Sequence, residues 1–260
     1  MTDLPSLPAW AKTLQRRIRQ RGIDFFILHG PGVRDLHPLG ARRFGTIGEC
    51  LAQVILNDRS AIITYDRGAG IGFSDRDVEN DFKTVLKAYD KLGGTNLAQV
   101  QPRDPDRALQ LIETYLRYQL TGNPRFSAAV IIDYGETVAP VGEPGQLPAE
   151  DRGAIVTLRR WASEPLFLQR TVTFCVLVET TATLSAALVS DARTFEIAVP
   201  VPDEPERFAY LARQPSRDVL RGGRPSRGDP HRGSHAPPPR EPAGRSRGGR
   251  RSARSGGAHS

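Results

Sequence analysis

Phe126-Ser-Ala-Ala-Val-Ile-Ile-Asp-Tyr-Gly-Glu136 is the stretch on which the fold turns. Ala128 to Ile132 are small or apolar without alternation, and they run straight into a carboxylate. Such a run fits a strand buried on both faces, as in a parallel sheet covered by helices on each side. Ligands in that architecture bind at the carboxyl ends of the strands, and Asp133 stands at such an end. An acid there can hold the water shell of Mg²⁺ beside a nucleotide, or it can simply cap the strand and its turn. The stretch alone leaves both readings open.

On either side of it, strands and helices alternate. Residues 8–21 read as a helix, with Trp10, Leu14 and Ile18 on one face and a run of arginines on the other, a solvated face or a contact surface. Phe25 to Leu28 form a first buried strand that ends in His29-Gly-Pro-Gly32. A phosphate-binding loop there needs a Lys and a Ser or Thr after its glycines. No Lys follows, and Pro31 lacks a backbone donor. An anion-binding nest at Gly30 and Gly32 therefore competes with a plain strand-to-loop turn. Thr46 to Asn57 should be helical and Ala61 to Tyr65 a second strand. Asp66 to Gly72 reads as a flexible glycine connector.

Asp75 to Asp81 opens a helix that runs to about Leu92, with Phe82, Val85, Leu86 and Tyr89 inward. Asp106 to Leu120 is amphipathic, with Arg107, Glu113 and Arg117 outside. The central strand is followed by a Pro/Gly-rich loop to Pro148 and a helix over 149–162. Thr171 to Val178 make a fourth strand, Leu184 to Leu188 a short helix and Phe195 to Val199 a fifth strand. A last helix opens at Glu204. The pattern predicts an α/β fold, a five-stranded parallel sheet flanked by helices.

The formal net charge of +7 misleads if read globally. Arg221 to Ser260 hold ten Arg against Asp229 and Glu241, a local +8, which leaves residues 1–220 at −1. The body thus carries no general electrostatic case for a nucleic-acid groove. Gly222 to Ser260 contain no Ile, Leu, Val, Phe, Tyr, Trp or Met. Such a tail is expected to be disordered, which divides the chain into an α/β domain over 1–212 and a tail over 213–260. The tail is either a real basic arm, able to bind nucleic-acid phosphates weakly and without sequence preference, or the product of a shifted reading frame after Leu211. Cys50 and Cys175 sit among apolar residues and read as buried hydrophobes. The first residues lack a signal-peptide pattern, and no run is long enough to span a membrane, so a cytoplasmic protein is expected.

The segment Phe195-Glu-Ile-Ala-Val-Pro-Val-Pro-Asp-Glu-Pro-Glu-Arg-Phe-Ala-Tyr-Leu211 resembles the end of an AAA+ ATPase core, in the P-loop NTPase superfamily. Ala129 to Asp133 look like its Walker B strand, and Val178-Glu-Thr180 stands where sensor 1 would be. The opening Phe25-Phe-Ile-Leu-His-Gly-Pro-Gly-Val-Arg-Asp-Leu36 is similar to the degenerate first module of two-module bacterial AAA+ ATPases. The resemblance covers roughly residues 8–211. It implies ATP and Mg²⁺ as cofactors, with Asp133 toward the metal and Asp133 and Glu136 as catalytic acids. It also implies Gly30, Gly32, Thr180 and Arg207 around the nucleotide. The departures are as telling. Tyr134 stands where the water-polarising Glu belongs, Glu179 replaces the usual Asn or Thr of sensor 1, and the P-loop Lys is missing.

Phosphoryl transfer rests on positioning and charge neutralisation. Without the Lys, negligible hydrolysis by this chain alone is expected. The favoured expectation is a degenerate AAA+ module that packs against a catalytic AAA+ module or sister subunits. An active nucleotide hydrolase, a nucleic-acid binder working through the tail, and an acid–base hydrolase built on Asp133 and Glu136 are the alternatives. The last lacks a nucleophile or a metal cluster.

Overall fold

A computed structural model describes residues 7–20, 24–40, 43–94, 102–204 and 207–208. In chain order its elements are α1 (Ala9–Gln20), β1 (Phe25–His29), a 3-10 turn (Pro31–Arg34), β2 (His37–Pro38), β3 (Phe44–Gly45) and α2 (Ile47–Cys50), which runs into a π-helical turn (Leu51–Ile55). There follow β4 (Ala61–Asp66), β5 (Gly70–Phe73), α3 (Arg76–Gly93), α4 (Pro105–Gly122), β6 (Ala128–Ile132) and α5 (Gly135–Val138). The remainder is α6 (Ala149–Ser163), α7 (Pro165–Gln169), β7 (Val172–Val178), α8 (Ala186–Val189) and β8 (Thr194–Ala198).

Six strands form the main sheet in the order β5-β4-β6-β7-β1-β8. Five of them are parallel, as the alternation of strands and helices predicts. The sixth, β5, pairs antiparallel with β4 at the edge. The expected connector at Asp66–Gly72 is therefore a hairpin. Asp66 Oδ1 accepts from the amides of Gly68 and Ala69, and Gly70 takes φ +88°. Glycine at two of the four β5 positions hides the alternation by which a strand is recognised.

Every residue of β6 and β7 is buried, because helices cover both faces. Alternate side chains divide between two cores. Phe25, Ile27, Val130, Ile132, Phe174 and Val176 pack with the inner faces of α3, α4 and α6. Phe26, Leu28, Ala129, Ile131, Cys175 and Leu177 pack with Trp10 and Leu14 of α1 and with Ile47 and Leu51. At about 1.5–3 kcal/mol per fully buried large apolar side chain, these two layers dominate the stability of the body.

The helices start where their caps stand. Thr46 and Glu49 form a capping box for α2, Asp75 caps α3 and Asp104 caps α4. Three further sequence expectations are corrected. The helix expected over Thr46–Asn57 becomes a π-turn after Cys50. Tyr89 faces outward and meets Tyr118 edge to face. Glu113, expected outside, is buried and accepts hydrogen bonds from Arg117, Arg160 and Trp161. Most of the last helix and the whole tail lie outside the described residues. Among the described residues no helix is long and apolar enough to cross a membrane.

Candidate functional site

The register aligns the strand ends. Ile132 pairs with Val176, and His29 pairs with both Val178 and Ala198. The loops after β6, β7, β1 and β8 therefore emerge side by side at one end of the sheet. Asp133 follows β6 directly, and its amide donates to Tyr65 O at 2.9 Å. Tyr134 then takes φ +50°, ψ +50°, the only non-glycine residue with positive φ among the described residues. Both the amide and the hydroxyl of Thr137 donate to Tyr134 O at 2.8 Å and hold that turn. Gly135 fits because a Cβ there would run into Val176 Cγ1.

Opposite stands the turn after β1. Gly30 takes φ +121°, and its amide donates to Glu179 O at 3.0 Å. The Gly32 amide donates to Val199 O, also at 3.0 Å. Buried His37 donates from Nε2 to Gly32 O at 2.9 Å and meets Trp10 edge to face. A Cβ on Gly30 would lie 2.6 Å from Val199 O, and one on Gly32 would collide with Pro200 O. The glycines thus let this turn lie against the backbone that follows β8. Their amides point into the protein and are engaged there.

This turn delivers Arg34, which the sequence reading did not single out. Arg34 Nη1 donates to Asp133 Oδ1 at 2.5 Å, and the Tyr134 amide donates to the same oxygen at 2.8 Å. Arg34 Nε lies 3.5 Å from Glu179 Oε1, an ion pair without hydrogen-bond geometry. The guanidinium carbon sits 3.8 Å from the centroid of the Tyr134 ring. Burial alone would lower the Arg34 pKa. The hydrogen bond to Asp133 and the electrostatic influence of Asp133 and its neighbours outweigh burial and raise it. Since β7 lies between β6 and β1, Arg34 reaches across the end of β7 and ties three strand ends together.

The structure thus gathers Asp133, Glu136, Gly30 and Gly32 around one arginine. Glu136 lies in the first turn of α5, and its Oε2 is buried without a hydrogen-bond partner. Thr180 and Arg207 make local contacts instead. The Thr180 hydroxyl accepts from the Ala182 amide at 3.4 Å and caps a 3-10 turn, while Arg207 Nη1 donates to Pro202 O at 2.6 Å. His29 lies 3.8 Å from Glu196. Arg34 carried one sequence signal: carboxylates closing adjacent strands require a cation, and it is the only base in the turn after β1.

These residues do not fit a triphosphate with its Mg²⁺. A phosphate cradle needs free backbone donors and a mobile cation. Here the Gly30 and Gly32 donors are engaged, and the Arg34 guanidinium is held by Asp133. Among the described residues, Asp133, Glu136 and Glu179 around the Arg34 guanidinium make a cluster of formal charge −2, which opposes a polyanion. Among the described residues no group of three or more His, Cys, Asp or Glu is arranged to hold a metal ion.

Among the curated proteins, none matches the chain. Among solved structures it is similar to a chain of the E. coli MS115-1 HORMA:CdnC:Trip13 complex, at 15% identity and a TM-score of 0.42. The alignment covers 84% of this chain and 62% of that one, so this chain spans less than two thirds of that chain's length. Residues 1–200 match the family model described as AAA+ chaperone, N-terminal Rossmann-like domain. With that match over most of its length, the chain belongs to the family of AAA+ chaperone N-terminal Rossmann-like domains.

Proposed function

We propose that residues 1–212 form a degenerate AAA+ module, an assembly or regulatory part of an ATP-dependent machine in the cytoplasm, with little or no hydrolysis of its own. One observation carries this reading. Arg34 occupies Asp133 where an active module would bring a metal, while the amides of Gly30 and Gly32 are bonded to Glu179 and Val199. Catalysis of phosphoryl transfer depends on donors and cations aimed at the transferring group, and here they are aimed at the protein. The family description, a domain at the N-terminus of AAA+ chaperones, supports a working partner elsewhere: a catalytic AAA+ module or sister subunits.

In this account Asp133, Glu136, Gly30 and Gly32 are positioning residues of the turn, and Thr180 and Arg207 stabilise local loops. A steady-state phosphate-release assay on the full chain tests it. The wild-type protein and Asp133→Asn are both expected to give the rate of a protein-free blank. Turnover by the wild type that drops in Asp133→Asn would overturn the reading.

A further inference from the structure

We propose that this cluster at the strand ends is a cation site rather than a phosphate site, and that its occupant is the chain's own Arg34, seated as an internal latch. The inference rests on the reading above and says what replaces the nucleotide. Three features converge on it. Asp133 and Glu179 approach the guanidinium from the ends of neighbouring strands, at 2.5 and 3.5 Å, and Glu136 adds a third negative charge nearby. The Tyr134 ring offers its π face at 3.8 Å, and its backbone adopts an αL conformation that costs a non-glycine residue energy. The turn carrying Arg34 is anchored on both sides, by Gly30 and Gly32 to the loops after β7 and β8 and by His37 to Gly32 O.

A flat, delocalised cation suits this seat. Guanidinium can stack on a ring while its edge meets carboxylates, whereas an ammonium is a compact point charge. The latch joins the ends of β1, β6 and β7 without any ligand. The module then holds one geometry whatever the nucleotide state of its surroundings.

Chemical rescue tests the assignment. Arg34→Ala is expected to lower the melting temperature by several degrees. Low-millimolar guanidinium chloride should recover part of that loss by binding the vacated seat, while sodium chloride at equal ionic strength should not. Wild-type protein should show no gain from guanidinium. A second measurement avoids dependence on small-molecule binding. Glu179→Gln should raise the melting temperature in the Arg34→Ala background, where a surplus carboxylate is relieved, and should lower it or leave it unchanged in the wild type. If Arg34→Ala yields no folded protein, the same comparison is made in Arg34→Gln, which also removes the charge, with the same signs expected.

An Arg34→Ala protein that melts with the wild type overturns the latch. So does a loss that guanidinium and sodium chloride restore equally, or one that Glu179→Gln deepens. Phosphate release by the wild type that drops in Asp133→Asn would instead refute the degenerate-module reading, so the two failures are distinguishable.

Discussion

The guanidinium of Arg34 lies 3.8 Å above the ring of Tyr134, a residue held at φ +50°. The ring is therefore part of the seat for the cation and is not simply an exposed aromatic, although Tyr134 is 47% exposed. The contact uses the π face, and no hydrogen bond of the phenol oxygen enters it. Tyr134→Phe should melt within about 0.5 kcal/mol of the wild type, and Tyr134→Ala should lose about 0.5–1 kcal/mol, the usual worth of an exposed cation–π contact. Urea melts measure both. Equal losses in the two variants would mean that the hydroxyl, not the ring, carries the effect.

Gly32 has no room for a side chain, since a Cβ there would collide with Pro200 O, a backbone atom that cannot swing aside. Gly40 has nothing within 4 Å. Gly32→Ala should cost at least about 2 kcal/mol, in the range of overpacked interiors, whereas Gly40→Ala should be close to neutral. Denaturant midpoints of the two variants decide it. Similar midpoints would show that the turn after β1 gives way freely.

Glu113 joins α4 to α6. Its carboxylate accepts from Arg117 Nε at 2.8 Å, from Trp161 Nε1 at 3.0 Å and from Arg160. Burial would raise its pKa, but these hydrogen bonds and the charge of Arg160 outweigh burial and lower it below 4.5. A carboxylate with a depressed folded pKa contributes stability that is complete above 4.5 and is lost as pH falls through the folded value. Glu113→Gln should cost about 1–3 kcal/mol near neutral pH and should flatten the acid limb of the stability curve. Melting temperatures across that limb test this. An acid limb as steep as that of the wild type would remove Glu113 from the account.

Burial pushes the thiols of Cys50 and Cys175 up to about 12. Thiolate is the reactive form, so neither cysteine should react with a thiol reagent in the native protein, and both should react on unfolding. Labelling followed by mass measurement reads this directly. Rapid labelling under native conditions would mean that the core beneath α1, which holds both cysteines, opens.

The parallel core was legible in the sequence because Ala128–Ile132 and Val172–Val178 offer no polar side to water, and only a doubly covered strand has that character. The edge strand β5 was hidden by Gly70 and Gly72. Glu113 was misread because local periodicity places it beside Arg117, while the partners that bury it come from 47 and 48 residues away. The same limit applies at the strand ends. Asp133 and Glu136 were conspicuous as acids after a buried strand. Arg34 was marked in the sequence only as the base in the turn after β1; its pairing with Asp133, 99 residues away, follows from the strand order that places β1 and β6 on either side of β7.

Titration calorimetry of the full chain with Mg·ATP tests the central claim most directly. Strand ends whose carboxylates are engaged by Arg34 and whose glycine amides are bonded within the protein should give no saturable heat. Saturable micromolar binding that disappears in Asp133→Asn would contradict it, because Asp133 would then hold a metal and not an arginine.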